Sequence, residues 1–146
     1  MLSSDQLFVT EMQRSSLRVT KTRREIFNIL NQSQRPLSIQ EIVRLSVEKS
    51  HFTSIYRSVE SLARKGILRE VPRGFKTFYE LGEVFRPHHH HATCEICGQT
   101  TPINNANVEQ LLHDLTLKAG LTPTKHHFEL FGICRRCSND EVYYEN

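Results

Sequence analysis

Apolar residues recur at helical spacing over about the first 65 residues of the chain. One stripe follows Thr22, a residue type that caps helices, and comprises Ile26, Phe27, Ile29 and Leu30. A second stripe follows Ser38, which forms a Ser-x-x-Glu capping box with Glu41, and comprises Ile39, Ile42 and Val43. The pattern predicts two short amphipathic helices, with Pro36 in the connection between them.

A third stripe predicts a helix that starts at Thr53 or Ser54 and stops at Gly66. Its inward-facing positions are Ile55, Val59, Leu62 and Ala63. The spacing then changes to two extended runs, residues 67–71 and 77–81, which flank the turn residues Pro72, Arg73 and Gly74. Helices followed by a hairpin in this order predict a winged helix-turn-helix.

The periodicity is lost between Gly82 and Pro87, so we predict a hinge at residues 83–87 that joins domains at 1–82 and 88–146. In the second domain, residues 88–93 and 126–133 are predicted strands. A helix between them has the apolar positions Val108, Leu111, Leu112 and Leu115. The predicted fold class is therefore α/β, of the α+β kind. Because so small a domain rarely has a sufficient core, we expect a metal ion or a second chain to stabilise it.

The charge distribution separates the same two halves. Residues 1–82 contain 14 Lys and Arg against 8 Asp and Glu, whereas residues 83–146 contain 5 against 8. A basic first half suits a polyanionic partner. No apolar run approaches the roughly 20 residues of a membrane span, and the first residues lack the pattern of a signal peptide. We therefore expect a cytoplasmic protein without a membrane partner.

The cysteines form two Cys-x-x-Cys pairs, Cys94 with Cys97 and Cys134 with Cys137. Two intervening residues let both thiolates of a pair reach one ion, and two pairs complete a tetrahedral shell of four thiolates. This donor set predicts structural zinc. The alternative is a set of redox-active thiols.

Four consecutive histidines, His88–His91, provide a second source of metal ligands. Side chains alternate between the faces of a strand, so the first and third histidines project to one side and the second and fourth to the other. The four histidines can therefore supply two separate metal sites with two ligands each. The alternative is a solvated polar loop or a weak histidine tract. The residues available to complete the first site are Glu109 and His126, and those for the second are Glu80 and Glu83.

The third predicted helix has the features of a DNA-recognition helix, because its N-terminal end carries polar and basic residues that can reach base edges and phosphates. These residues are Thr53, Ser54, Tyr56 and Arg57. Arg73, expected at the hairpin tip, and Arg18 add partners for phosphates. Winged helices also occur in protein-interaction modules, which is the alternative for this domain.

Six segments carry a family resemblance through their order and spacing, and they cover nearly the whole chain. They are Ser16–Thr20 with Arg23, Thr53–Arg57, Ala63–Leu68, Phe78–Leu81, His88–Cys97 and His126–Cys137. Together they resemble the ferric uptake regulator family of metal-dependent bacterial repressors. The resemblance implies an N-terminal winged helix and a C-terminal α/β dimerisation domain with structural zinc.

The resemblance also implies a role for each set of ligands. The structural zinc ligands would be Cys94, Cys97, Cys134 and Cys137. A second metal site within the dimerisation domain would consist of His88, His90, Glu109 and His126. A regulatory site at the domain junction would contain Glu80, His89 and His91. The residues that match DNA contacts of the family are Arg18, Tyr56 and Arg57.

Two departures from the family pattern concern the regulatory site. Iron and peroxide sensors of the family usually supply a histidine where this chain has Arg35 and Pro36, and zinc sensors usually supply a linker cysteine, whereas the first cysteine here is Cys94. The fourth ligand is left open among Glu83, Glu70, His51 and water. Carboxylate and imidazole ligands suit zinc or iron(II) as the sensed ion, with manganese(II) possible.

Taken together, these features predict a homodimeric, metal-dependent repressor that is not an enzyme. It would bind palindromic operators of metal-uptake or homeostasis genes, and metal at the regulatory site would favour the arrangement that fits DNA. Two alternatives stay open. One is a peroxide-sensing regulator of the same family, and the other is a small zinc-dependent hydrolase with Glu109 as general base.

Overall fold

The structure is a computed structural model that describes residues 3–47 and 52–139. The chain divides into two compact units, the first ending at Pro87 and the second starting at His88. The elements of the first unit are α1 (Ser4–Arg14), α2 (Lys21–Gln32), β1 (Leu37–Ser38), α3 (Ile39–Leu45), α4 (Phe52–Arg64), β2 (Leu68–Arg73) and β3 (Lys76–Leu81). Those of the second are β4 (His90–Cys94), β5 (Thr100–Ile103), α5 (Ala106–Lys118), β6 (Glu129–Gly132) and α6 (Arg135–Asn139). None of the helices in the described residues is both long enough and apolar enough to cross a membrane.

The first unit is a winged helix-turn-helix, as predicted. Its antiparallel sheet has the order β1-β3-β2, and the apolar faces of α2, α3 and α4 supply most of the core. Helix α1 lies outside the predicted elements, although Ser3 and Gln6 form a capping box at its start. Its Phe8 and Met12 are fully buried, and the Phe8 ring stacks on Phe27 with centroids 4.5 Å apart. This helix therefore extends the core of the winged helix.

The predicted cap of α2 is displaced by two residues and the predicted hairpin turn by one. Thr20, and not Thr22, caps α2, because its side chain accepts a hydrogen bond from the Arg23 amide. Pro72 and Arg73 belong to β2, and Arg73 pairs with Lys76 across a turn made of Gly74 and Phe75. Gly74 has a φ of +56°, a conformation that favours glycine. Proline is tolerated in β2 because β2 is an edge strand.

The segment after β3 is attached to the first unit. The Gly82 amide donates to the Ile67 carbonyl at 2.9 Å, and a Cβ on Gly82 would lie only 2.1 Å from the Gly66 oxygen. The Arg86 guanidinium donates to carbonyl oxygens at the C-terminal end of α2, those of Leu30, Asn31 and Ser33. These contacts order the chain up to Arg86, while the hinge at residues 83–87 stays a prediction.

The second unit is built on a three-stranded sheet of order β5-β4-β6. Strand β4 pairs antiparallel with β5 and parallel with β6, where Cys94 lies opposite Gly132. The two predicted strands and the predicted helix are present, the strands being shorter than expected, and β5 and α6 are additional. None of the described residues of α5 is buried. Its leucines Leu111 and Leu115 and the β6 residues Leu130 and Phe131 are exposed.

Candidate metal centres and DNA-binding surface

The four cysteines come together at one end of the second sheet. Their Sγ atoms all lie within 4.8 Å of one another. Cys94 ends β4 and Cys97 lies in the following turn, whereas the other pair lies at the start of α6, so the parallel pairing of β4 with β6 brings the pairs together. The Cys97 and Cys134 sulfurs are 3.8 Å apart. Four sulfur donors at this spacing fit a zinc ion.

The electrostatics of this cluster favour a bound cation. Hydrogen bonds from the backbone amides of Cys97 and Cys134 lower the pKa of the Cys94 thiol to about 6. Burial, together with the neighbouring thiols, raises the pKa of Cys137 to about 12. The backbone amides thus favour the thiolate form of Cys94, while burial and the neighbouring thiols oppose ionisation of Cys137. A divalent cation removes that opposition, since it neutralises the thiolates that bind it.

A second cluster contains His88, His90, Glu109 and His126, whose ligand atoms also lie within 4.8 Å of one another. His90 Nε2 lies 2.6 Å from Glu109 Oε1, and His88 Nε2 lies 3.2 Å from His126 Nε2. Burial lowers the pKa of His90, which favours the neutral imidazole that binds metals. Imidazole and carboxylate donors at these distances fit zinc, iron(II) or manganese(II).

The residues assigned to the regulatory site are divided between the units. Glu80 lies on β3 of the first unit, is 1% exposed and accepts a hydrogen bond from Arg69 Nε at 2.7 Å. In the second unit, the His89 and His91 rings meet edge to face with their centroids 4.8 Å apart. Since its members belong to two units, this site stays a prediction.

One further acidic residue of the second unit was not among the candidates. His91 Nδ1 lies 3.4 Å from the Glu129 carboxylate. The β4–β6 register places Glu129 opposite His91, a pairing that no local spacing in the sequence indicates. Among the fourth ligands left open, Glu70 and Glu83 are exposed residues of the first unit, and His51 lies outside the described residues.

The predicted recognition residues occupy the outer face of α4. Thr53, Ser54, Tyr56 and Arg57 are all exposed, while Ile55 and Val59 point into the core. Arg18 is exposed in the loop before α2, and the Arg23 guanidinium donates to its carbonyl oxygen at 2.8 Å. The structure thus presents these polar and basic side chains to a partner.

Arg73 differs from the prediction in its position. It ends β2 instead of forming the tip, and its guanidinium lies over the Phe78 ring, 5.1 Å from the centroid. The tip instead carries Phe75, which follows Gly74 in the turn. Phe75 is thus the next residue after the predicted turn residues Pro72, Arg73 and Gly74. Arg73 remains a candidate phosphate contact at the base of the turn.

These elements define a winged-helix protein whose second domain gathers metal-binding side chains. The family model described as "Ferric uptake regulator family" matches residues 14–131. The chain belongs to this family, which confirms the resemblance.

Similar proteins include regulators of two different metals. The chain is 26% identical over 125 residues to the ferric uptake regulation protein of Brucella suis, covering 83% of this chain and 87% of that protein. It is 28% identical over 131 residues to the zinc uptake regulation protein of Mycobacterium tuberculosis, covering 86% and 98%. A solved zinc uptake regulator complexed with zinc and DNA has the same fold, with a TM-score of 0.69, 20% identity, and coverage of 94% of this chain and 97% of that chain.

Proposed function

We propose that this protein is a metal-dependent transcriptional repressor that binds double-stranded operator DNA as a homodimer and controls genes of metal uptake or homeostasis. The observation that carries the proposal is the exposed N-terminal face of α4, where Thr53, Ser54, Tyr56 and Arg57 project from a helix whose opposite face is buried. Such a face suits insertion into the major groove. Arg18 and Arg73 would add contacts to phosphates.

Metal dependence is supported by the ligand clusters of the second unit. We assign zinc to Cys94, Cys97, Cys134 and Cys137, because four sulfur donors within 4.8 Å match its preferences. We assign a second ion to His88, His90, Glu109 and His126. Since the relatives are named as iron and zinc regulators, zinc or iron(II) is the proposed regulatory ion, with manganese(II) as a further candidate.

The gating step is assigned to Glu80, His89 and His91. Glu80 belongs to the first unit and the histidines to the second, so an ion that they share would couple metal binding to the arrangement of the units. Regulation requires that these ligands bind the ion more tightly in the DNA-competent arrangement, because equal affinity for both arrangements shifts nothing.

The homodimer is supported by the apolar surface of the second unit. Leu111 and Leu115 on α5 and Leu130 and Phe131 on β6 are all exposed, and a small domain gains stability when such residues are covered by a second copy.

A DNA-binding repressor acts where the genome is, so we propose a cytoplasmic location.

The second cluster borders a cavity of about 350 Å³ to which Glu109 and His126 contribute, the kind of feature that the hydrolase alternative requires. The family to which the chain belongs is one of transcription regulators, which supports a binding role for these residues. We therefore propose that the protein is not an enzyme.

A binding experiment with a pool of random 30-base-pair duplexes tests this function. The zinc-loaded protein is titrated with iron(II), manganese(II) or additional zinc under anaerobic conditions, and the retained duplexes are sequenced. We expect one ion to increase retention and to enrich a palindrome. The His89→Ala/His91→Ala variant should keep its cysteine-bound zinc and its dimer, but lose the response. Retention that is equal with and without added ion would contradict metal gating, and no retention would contradict DNA binding.

A further inference from the structure

The turn between β2 and β3 carries a fully exposed aromatic ring. Phe75 has a relative exposure of 111%, the highest of any large hydrophobic residue in the described parts of the chain. It follows Gly74 in the two-residue turn and lies between Arg73 and Lys76. Because the ring is fully exposed at the tip of the hairpin, it contributes little to the core and is accessible to a partner outside the unit.

The surface beside this ring is an open groove of about 760 Å³ that is lined by the hairpin, by α3 and by the start of α4. Aromatic and basic side chains line it, among them Phe52, Tyr56, Arg44 and Lys76. The Phe52 and Tyr56 rings stack with centroids 6.3 Å apart. Glu41 also lines the groove, but Arg35 donates to its carboxylate at 2.6 Å, which offsets its charge. The groove therefore suits one strand of a sugar-phosphate backbone.

The position of the groove determines which part of the DNA Phe75 contacts. This step rests on the proposed function, because it assumes that α4 binds DNA. Phe52 and Tyr56 of α4 and residues 75–79 of the hairpin all line this groove. If α4 enters the major groove, a backbone strand fills the space beside it. That DNA strand separates the major groove from the minor groove. The hairpin tip lies on the side of the DNA strand away from α4, so it faces the minor groove.

We propose that Phe75 is a minor-groove wedge, which inserts its ring against a base step and thereby makes operator choice depend on how easily that step deforms. Apolar side chains that enter the minor groove unstack and kink the duplex there. Pyrimidine–purine steps deform easily, whereas A-tracts are stiff. Phe75 is thus a specificity-determining residue that acts without hydrogen bonds to bases.

The test compares sequence selection by the wild type and by Phe75→Ala, Phe75→Leu and Leu45→Ala. Each full-length, metal-loaded protein selects from the same random 30-base-pair pool, and the bound fractions are sequenced. Leu45 is an exposed residue of the same unit that lies outside the hairpin and outside the groove, and it serves as the control. Because the Phe75 ring is fully exposed, Phe75→Ala should melt at the wild-type temperature.

The wild type and Leu45→Ala should enrich a pyrimidine–purine step at a fixed distance from the centre of each half-site. Phe75→Ala should lose this enrichment, and Phe75→Leu should keep part of it. On a duplex selected by the wild type, Phe75→Ala should bind about tenfold more weakly. Replacing the flexible step with an A-tract should weaken binding by the wild type but not binding by Phe75→Ala. Energy transfer between the duplex ends should report a smaller bend with Phe75→Ala.

The outcomes separate the wedge from the proposed function. If the wild type retains no duplex with any ion, DNA binding fails and the wedge fails with it. If the wild type selects DNA and Phe75→Ala enriches the same steps with the same affinity and bend, the wedge alone is overturned. A loss with Phe75→Ala that is uniform over all sequences would also overturn it, since that result describes a general contact.

Discussion

The proposed dimer makes a quantitative prediction at Leu115 on α5. This side chain is 51% exposed in the single chain. Burying a whole leucine side chain contributes about 2 kcal/mol, so covering the exposed half contributes about 1 kcal/mol. In a twofold interface each substitution occurs twice. Leu115→Ala should therefore weaken the dimer by about 2 kcal/mol, which corresponds to a roughly 30-fold higher dissociation constant.

Sedimentation velocity over a range of concentrations measures this constant, with zinc present at one equivalent per cysteine cluster. Leu45→Ala is the matched control, because Leu45 is a helical leucine of 55% exposure in the first unit. It should leave the dissociation constant unchanged. If Leu115→Ala and Leu45→Ala both dimerise like the wild type, α5 does not form the interface and the reasoning from its exposed leucines is wrong.

Three further substitutions have defined outcomes. Cys137→Ser should release the zinc of the cysteine cluster and abolish cooperative melting of the second unit, measured by metal analysis and circular dichroism, while the first unit still melts. Although burial raises it, hydrogen bonds from Arg35 and Ser38 lower the pKa of Glu41 to about 2. Its stabilising contribution is therefore present above about pH 4.5 and lost as the pH falls toward 2. Glu41→Gln should lower the free energy of unfolding in urea by about 1 kcal/mol at pH 7. If the variant is still less stable than the wild type by this amount at pH 2, the ionised Glu41 carboxylate is not the cause. Arg86→Ala removes the guanidinium that donates to carbonyl oxygens at the end of α2, and it should lower the free energy of urea unfolding by about 1 kcal/mol. An unchanged urea midpoint would show that these hydrogen bonds do not stabilise the first unit.

Much of the fold follows from local sequence patterns. The Ser38 capping box is present, with its reciprocal bonds to Glu41, and α4 presents its apolar stripe to the core with Ile55, Val59 and Leu62 buried. Both features depend on residues three or four positions apart, which a helix brings together whatever its surroundings. The cysteine pairs were equally evident, because the two members of each pair lie only three positions apart in the sequence.

Other features depend on pairings between distant segments. Glu129 reaches His91 only through the parallel register of β4 with β6, which joins residues 38 positions apart. Helix α1 contributes to the core because Phe8 meets Phe27, a contact that the weak apolar pattern of α1 does not specify. Phe75 was missed for a different reason: the pairing of Arg73 with Lys76 moves the hairpin tip by one residue beyond the position expected from the turn residues.

The central claim is that metal binding and DNA binding are coupled, and linkage provides the most direct test. The affinity of the protein for its regulatory ion is measured by buffered-metal titration, first alone and then with a saturating duplex selected by the wild type. If the ion strengthens DNA binding by a given factor, DNA must strengthen ion binding by the same factor. We predict equal factors for the wild type and a factor near one for His89→Ala/His91→Ala. An ion affinity of the wild type that is the same with and without DNA would contradict the account.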